Sequence, residues 1–195
     1  MLVRARKFDD FPFDFNLPKT IQAVAFLLKL KHKPANTDNY MRLFKLLYFA
    51  DRESIKQTGS PITGDKFVAL EHGPTLSRLV DFARQRRFDN IIWDEYIEKN
   101  GFEISLIKDP GQDKLSKYET DLLTKIWGEN RELGEWDVAG KSEKLPEWIK
   151  NNPGSSSKSI PFGDVLEAIG QSECLKEIQQ MAAENRAAKR FFKVA

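Results

Sequence analysis

Two histidines, one cysteine and 29 acidic side chains are the groups with which this chain could move protons, attack a carbonyl or hold a metal. Neither His32 nor His72 belongs to an H-E-x-x-H pair or to any short ligand spacing, so a metal centre has no support. Cys174 is alone. One thiol closes no intramolecular disulfide and builds no multi-cysteine metal site, a profile that suits a reducing compartment. Its helical setting reads as inert packing. No G-x-x-x-x-G-K-S/T loop, G-x-G-x-x-G turn or G-x-S-x-G elbow occurs, which removes the common phosphate cradles and the hydrolase nucleophile. The stretch from Gly59 to Gly64 contains Pro61, which lacks the N–H an anion nest uses, and reads as a turn. Asp51, Glu53, Asp65, Glu71 and Asp81 could in principle pair as acid and base, yet chance pairs are expected at this density of carboxylates. His32, between Lys31 and Lys33 at a helix end, complements the helix dipole. His72 precedes Gly73-Pro74 at a corner, within reach of a carboxylate such as Asp51 or Asp65. One imidazole without a nucleophile beside it lacks a catalytic arrangement. The expectation is no catalytic residue, no metal and no cofactor.

Binding is the remaining class, and charge narrows it. Against the acidic groups stand 31 Lys and Arg, a formal net charge of +2 over 195 residues, too weak a field to hold a polyanion. Two local basic clusters stand out, Arg84-Gln85-Arg86-Arg87 and the C-terminal run from Arg186 to Lys193. Each falls at a helix end, where cations are favoured anyway, so nucleic acid is not the expected partner. Ile21 to Leu30 is the most apolar run, about half a bilayer span, and it contains Lys29. It reads as a core helix. Asp9, Asp10 and Asp14 separate it from the basic N-terminus, which is not signal-peptide order. The expected location is the cytoplasm, with no membrane contact.

Hydrophobic residues make up 41% of the chain and include 14 Phe and 4 Trp, enough for a sizeable core in one domain. The elements that must position the polar groups follow from periodicity. A helix is predicted over about 19–33, with Ile21, Val24, Ala25 and Leu28 on one face. A second runs over about 38–57, capped by Thr37 or Asp38 and stopped by Gly59. It is apolar on nearly every side and is the expected centre of the fold. Lys66 to Leu70 is a strand, and Gly73-Pro74 opens a third helix. Ile91 to Ile97 and Phe102 to Ile107 flank Asn100-Gly101 as a hairpin, which could join the strand near Phe67. Ser116 and Glu119 stand at capping-box spacing before a helix to Leu133. Shorter helical pieces follow over 136–150 with a break at Pro146, then an exposed loop over 152–159, a helix from Phe162 to Ile169 and a longer one from Ser172. The fold class is α+β, a mainly helical single domain with a small antiparallel sheet of about three strands.

The segment from Lys45 to Asp51, K-L-L-Y-F-A-D, is followed by G-S-P-I-T-G-D over Gly59 to Asp65 and by a strand ending in His72-Gly73-Pro74. Together with Leu145-Pro146-Glu147-Trp148, these motifs resemble the Panacea domain, the SocA-like antitoxin domain, in order and spacing. The likeness covers about residues 19–180 and leaves a Phe-rich arm over 1–18 and a basic helix end over 181–195 outside. Tyr48, Asp51, Arg52, Gly64, Asp65, His72, Gly73, Pro74 and Trp148 match, as scaffold or as partner surface. Family members often place a histidine shortly before P-E-W, where this chain has Lys141, Glu143 and Lys144.

The resemblance implies an antitoxin of a bacterial or phage toxin–antitoxin pair, neutralising a toxin encoded nearby by stoichiometric binding. A proteolytic adaptor serving an AAA+ protease and a DNA-binding autoregulator stay open beside it. By composition, Phe8, Phe11, Phe13, Arg84, Arg86, Arg87, Arg190, Phe191 and Phe192 are the candidate partner anchors, with closure of the domain's own core as the alternative for the aromatics. Nothing in the sequence fixes the oligomeric state.

Overall fold

The computed structural model describes residues 11–31, 36–84 and 90–194. The first half runs α1 (Leu17–Leu30), β1 (Thr37–Asn39), α2 (Tyr40–Thr58), β2 (Phe67–Leu70), β3 (Gly73–Leu76), α3 (Ser77–Ala83), α4 (Asn90–Asp94), β4 (Ile97–Asn100) and β5 (Glu103–Leu106). The second half runs α5 (Lys117–Asn130), α6 (Glu135–Ser142), α7 (Pro146–Lys150), β6 (Lys158–Ser159), α8 (Phe162–Ala168) and, after a 3₁₀ turn at Ser172–Cys174, α9 (Leu175–Val194). The class is α+β and mainly helical, as its periodicities require.

Helix α2 is central because its apolar residues leave no solvent-facing stripe over Leu43–Tyr48. Leu43, Phe44, Leu46, Leu47, Tyr48 and Ala50 are all fully buried, each aliphatic contributing roughly 1.5–3 kcal/mol by leaving water. It packs against α1, α5, α6 and β3. Its C-terminus is where Gly59 was expected to put it, with that glycine left-handed (φ 73°) and its N–H donating to the Ile55 carbonyl. The N-terminus differs from expectation. Asn39, not Thr37 or Asp38, is the cap, accepting from the Met41 N–H at 2.9 Å. Thr37–Asn39 pairs antiparallel with Ser105–Glu103 instead, and the Asp38 carboxylate is taken by Arg42 and Lys31.

The described residues form two three-stranded antiparallel sheets, ordered β1-β5-β4 and β3-β2-β6. The strand near Phe67 and the hairpin therefore do not share a sheet. Strand β2 has both edges filled, by β3 and by Lys158–Ser159, so the β4–β5 hairpin recruits β1. The hairpin turns at Gly101 (φ 60°) as predicted. Its first arm is shorter than expected, since Asn90–Asp94 is helical. That helix buries Trp93, whose ring stacks on Phe82 at 5.1 Å, while Ile91 and Ile92 face outward.

Gly73-Pro74 does not open a helix. Leu70 pairs with Gly73 and Ala69 with Pro74 across a tight turn at Glu71-His72, and α3 begins only after Leu76. The capping box at Ser116 and Glu119 is present, with Glu119 accepting from the Ser116 N–H at 2.8 Å. Pro146 sits in the first turn of α7, the position where its missing N–H is harmless.

Residues 11–16 run across the body before α1. Phe11 meets Phe67 and Phe162 edge-on at 5.4 and 5.6 Å, and Phe13 meets Phe162 at 5.7 Å. Asn16 caps α1, and its N–H donates to the Thr63 carbonyl at 2.9 Å. This crossing fixes the residue at position 64. Gly64 has φ 69°, and a Cβ there would overlap the Asp14 carbonyl oxygen. Gly64→Ala is expected to lower stability by at least about 2 kcal/mol, combining left-handed strain with the clash. A melting temperature within a degree of wild type would refute that expectation.

Candidate functional site

Arg42 and the motif residues Lys45, Tyr48, Asp51 and Arg52 recur along α2 at three- or four-residue steps. Together they tie the central helix to the elements around it. Arg42 donates from Nε to the Leu133 carbonyl at 2.8 Å and from Nη2 to the Asn130 carbonyl at 2.9 Å, holding the α5–α6 connection. Its guanidinium also lies 4.7 Å over the Trp127 ring. Lys45 sends Nζ to the carbonyls of His72 and Pro74 and to Ser142 Oγ, joining the β2–β3 turn to α6. Tyr48 donates from its hydroxyl to Glu147 Oε1 at 2.9 Å, and Arg52 Nε donates to the same oxygen at 2.7 Å. Asp51 turns the other way. It accepts from the N–H groups of Ile62 and Thr63 at 2.8 and 3.0 Å and from the Thr63 hydroxyl.

The remaining motif residues complete this frame. Asp65 accepts from the Arg78 N–H at 2.8 Å and the Leu79 N–H at 3.3 Å, satisfying the first turn of α3. Trp148 donates from Nε1 to the Leu70 carbonyl at 2.9 Å. A Cβ on Gly73 would overlap Ser142 Oγ and come within 2.8 Å of Lys45 Nζ, which is why a glycine stands between His72 and Pro74. His72 itself does not reach Asp51 or Asp65, both of which are engaged elsewhere. It is exposed, with Nδ1 3.8 Å from Glu143 Oε1 and its ring edge-on to Trp136 at 5.2 Å. Glu143 thus faces His72 from the stretch where family members often carry a second histidine.

Burial sets the electrostatics. Desolvation lowers Lys45 from 10.5 to about 8, with nearby Glu143 pulling the other way. Its three protons are all donated, so no lone pair is presented as a base. Burial also pushes the Tyr48 hydroxyl up, reinforced by Glu147. Burial raises Asp51 to about 6 against the pull of its Thr63 and Ile62 donors. Asp65 is raised to about 7 by burial, against the backbone N–H groups of Arg78 and Leu79. Among the described residues no group of three or more His, Cys, Asp or Glu is arranged to hold a metal ion. No helix among them is long and apolar enough to cross a membrane.

The candidate partner anchors are scattered by the fold. Phe11 and Phe13 are partly buried on the domain's own Phe67 and Phe162. Arg84 is exposed at the end of α3. Arg190 and Phe191 are exposed in the last turns of α9, Phe191 to 74%. Phe8, Arg86 and Arg87 lie outside the described residues, as do His32 and the side chain of Phe192. Lys45, Thr63 and Glu147 stand within the quoted motifs without an assigned role, and nothing in the sequence singles out Arg42 or Ser142. For Lys45 the signal was available, a lone cation in an apolar run three residues before Tyr48. For Glu147 it was not, because its partners lie 95 and 99 residues away.

A mainly helical α+β domain whose motif residues are absorbed in holding its elements together is a scaffold of one particular lineage. The family model described as antitoxin SocA-like, Panacea domain, matches residues 43–149, and the chain belongs to that family. The match begins in α2 and ends in α7, so it takes in Lys45, Tyr48, Asp51 and Arg52 together with the β2–β3 turn, α6 and Glu147, to which they are tied. No curated protein and no solved structure matches the chain.

Glu147→Ala should cost about 3–5 kcal/mol, since it strands the Arg52 charge and the buried Tyr48 hydroxyl together. Denaturant unfolding measures this, and a loss under 1 kcal/mol would contradict the assignment. Asp51 and Asp65 bind protons more tightly in the fold than at the ordinary 3.8. Their contribution is therefore full below that value and is lost as pH rises through 6 and 7. Asp51→Asn keeps the shape and removes the ionisation. Wild-type melting temperature minus that of Asp51→Asn is expected to fall from pH 4 to pH 7, and a pH-independent difference would show that Asp51 titrates normally.

Proposed function

We propose that this protein is the antitoxin of a toxin–antitoxin pair, acting in the cytoplasm by binding its toxin directly and stoichiometrically rather than by catalysis. The observation that carries this reading is the family match over residues 43–149. The chemistry of the frame supports it. Lys45, Asp51 and Asp65, the shifted polar groups along the motif, are all buried and bonded to their own fold, an arrangement that builds a rigid platform and leaves no poised nucleophile. Silencing a toxin at nanomolar concentration needs about −12 kcal/mol. A standard interface of about 1,600 Å² with a few aromatic and Arg anchors supplies it.

Co-expression with the product of the adjacent open reading frame tests the proposal. That product alone should arrest growth, growth should return when this protein is present, and the two should elute as one complex of fixed ratio. A harmless neighbour, or one that stays lethal beside this protein, would sink the reading. Rescue at far less than one antitoxin per toxin would instead indicate turnover of the toxin.

A further inference from the structure

A cleft of about 260 Å³ opens between the first turns of α2, the β2–β3 turn and the end of α3. Phe44, Val80 and Ala83 give it an apolar lining, and Tyr40 and His72 line it as well. Tyr40 and His72 each touch a large exposed aromatic. Phe102 stacks on Tyr40 at 6.1 Å and is 65% exposed, and Trp136 meets His72 and is 62% exposed. Two large aromatic side chains left in water next to an apolar hollow mark a surface that a partner would cover.

The charge of the lining says what would cover it. Among the described residues that line it the full charges are Lys45, Arg84 and Glu71, and Glu143 stands beside His72 and Lys45. The Lys45 ammonium is bonded only to neutral oxygens, two carbonyls and a hydroxyl. The Arg84 guanidinium is exposed and has no carboxylate partner among the described residues. An exposed guanidinium beside an apolar lining suits a carboxylate, which it can hold with two parallel hydrogen bonds. Arg, Trp and Tyr are also the residues that most often dominate binding energy at protein interfaces.

Resting on the antitoxin reading, we propose that this cleft is the toxin-binding surface and that it seats a toxin segment carrying an apolar side chain next to a carboxylate. The apolar group fills the hollow over Phe44, Val80 and Ala83. The carboxylate pairs with Arg84, and Phe102 and Trp136 close over the flanks.

The dissociation constant of the purified complex with the product of the adjacent open reading frame is the test. Arg84→Glu reverses the charge, and Ser155→Trp, on the exposed loop that borders the cleft, fills the hollow without touching the core. Each should keep the wild-type melting temperature and weaken binding at least tenfold, as should Phe102→Ala with Trp136→Ala. Ile149→Glu, an equally exposed apolar site on α7 away from the cleft, should bind as wild type. Arg84→Glu and Ser155→Trp both binding at wild-type affinity would overturn the inference while leaving the antitoxin reading intact. Ile149→Glu weakening the complex as much as Arg84→Glu would also overturn it. Failure of the wild-type protein to bind the neighbour's product would instead remove the antitoxin reading, and this proposal with it.

Discussion

A charged or hydroxyl-bearing side chain carried into the interior by a helix has no water to return to, so whatever it bonds becomes part of that helix's position. In this protein α2 carries five such groups, Arg42, Lys45, Tyr48, Asp51 and Arg52, to four places, Tyr48 and Arg52 sharing Glu147. The leucines and phenylalanines between them supply most of the driving force, but burial is non-directional and would accept several packings. The polar groups choose among them. Unbonding any one leaves a buried donor or charge unmet, a penalty of several kcal/mol for an ion, so each outer element has a single acceptable seat. Buried ion pairs such as Arg52–Glu147 are for that reason better read as determinants of arrangement than as net stabilisers.

The same constraint explains why the motif glycines lie where they do. Gly64 and Gly73 stand where two backbones or a backbone and a bonded side chain meet without room for a Cβ. Both sit next to a polar anchor, Thr63 beside the Asp51 carboxylate and His72 beside the Lys45 ammonium. Close approach and polar anchoring are one device, since Lys45 can reach two carbonyls of the β2–β3 turn only if that turn comes close to α2.

What was legible in the sequence was what is local. The Ser116–Glu119 box, the Asn100-Gly101 turn, the Gly59 stop and the apolar stripe of α1 are each decided within a few residues. Thr37–Asn39 and Lys158–Ser159 were invisible as strands because they have too few residues to alternate, and only distant partners make them strands. Gly73-Pro74 was read as a helix start because Pro favours a first turn, and the hairpin pairing with Ala69 and Leu70 overrode that preference. Ile91-Ile92-Trp93 looked like a strand by β propensity, whereas the need to bury Trp93 on Phe82 set its conformation. The residues of the motif could be picked out from their spacing, but their roles could not. Which carboxylate meets Arg52, or which carbonyls meet Lys45, is a fact of tertiary distance.

The strap over residues 11–16 ties together parts of the chain that are far apart in synthesis. Phe13 rests on Phe162, and the Pro12 carbonyl accepts from Arg186 at 2.9 Å. The surface that receives the first described residues is thus incomplete until the last two helices have left the ribosome. A chain cut before Phe162 would keep Phe67 and Thr63 as contacts for this segment but lose the Phe162 ring and the Arg186 guanidinium that hold its phenylalanines and Pro12.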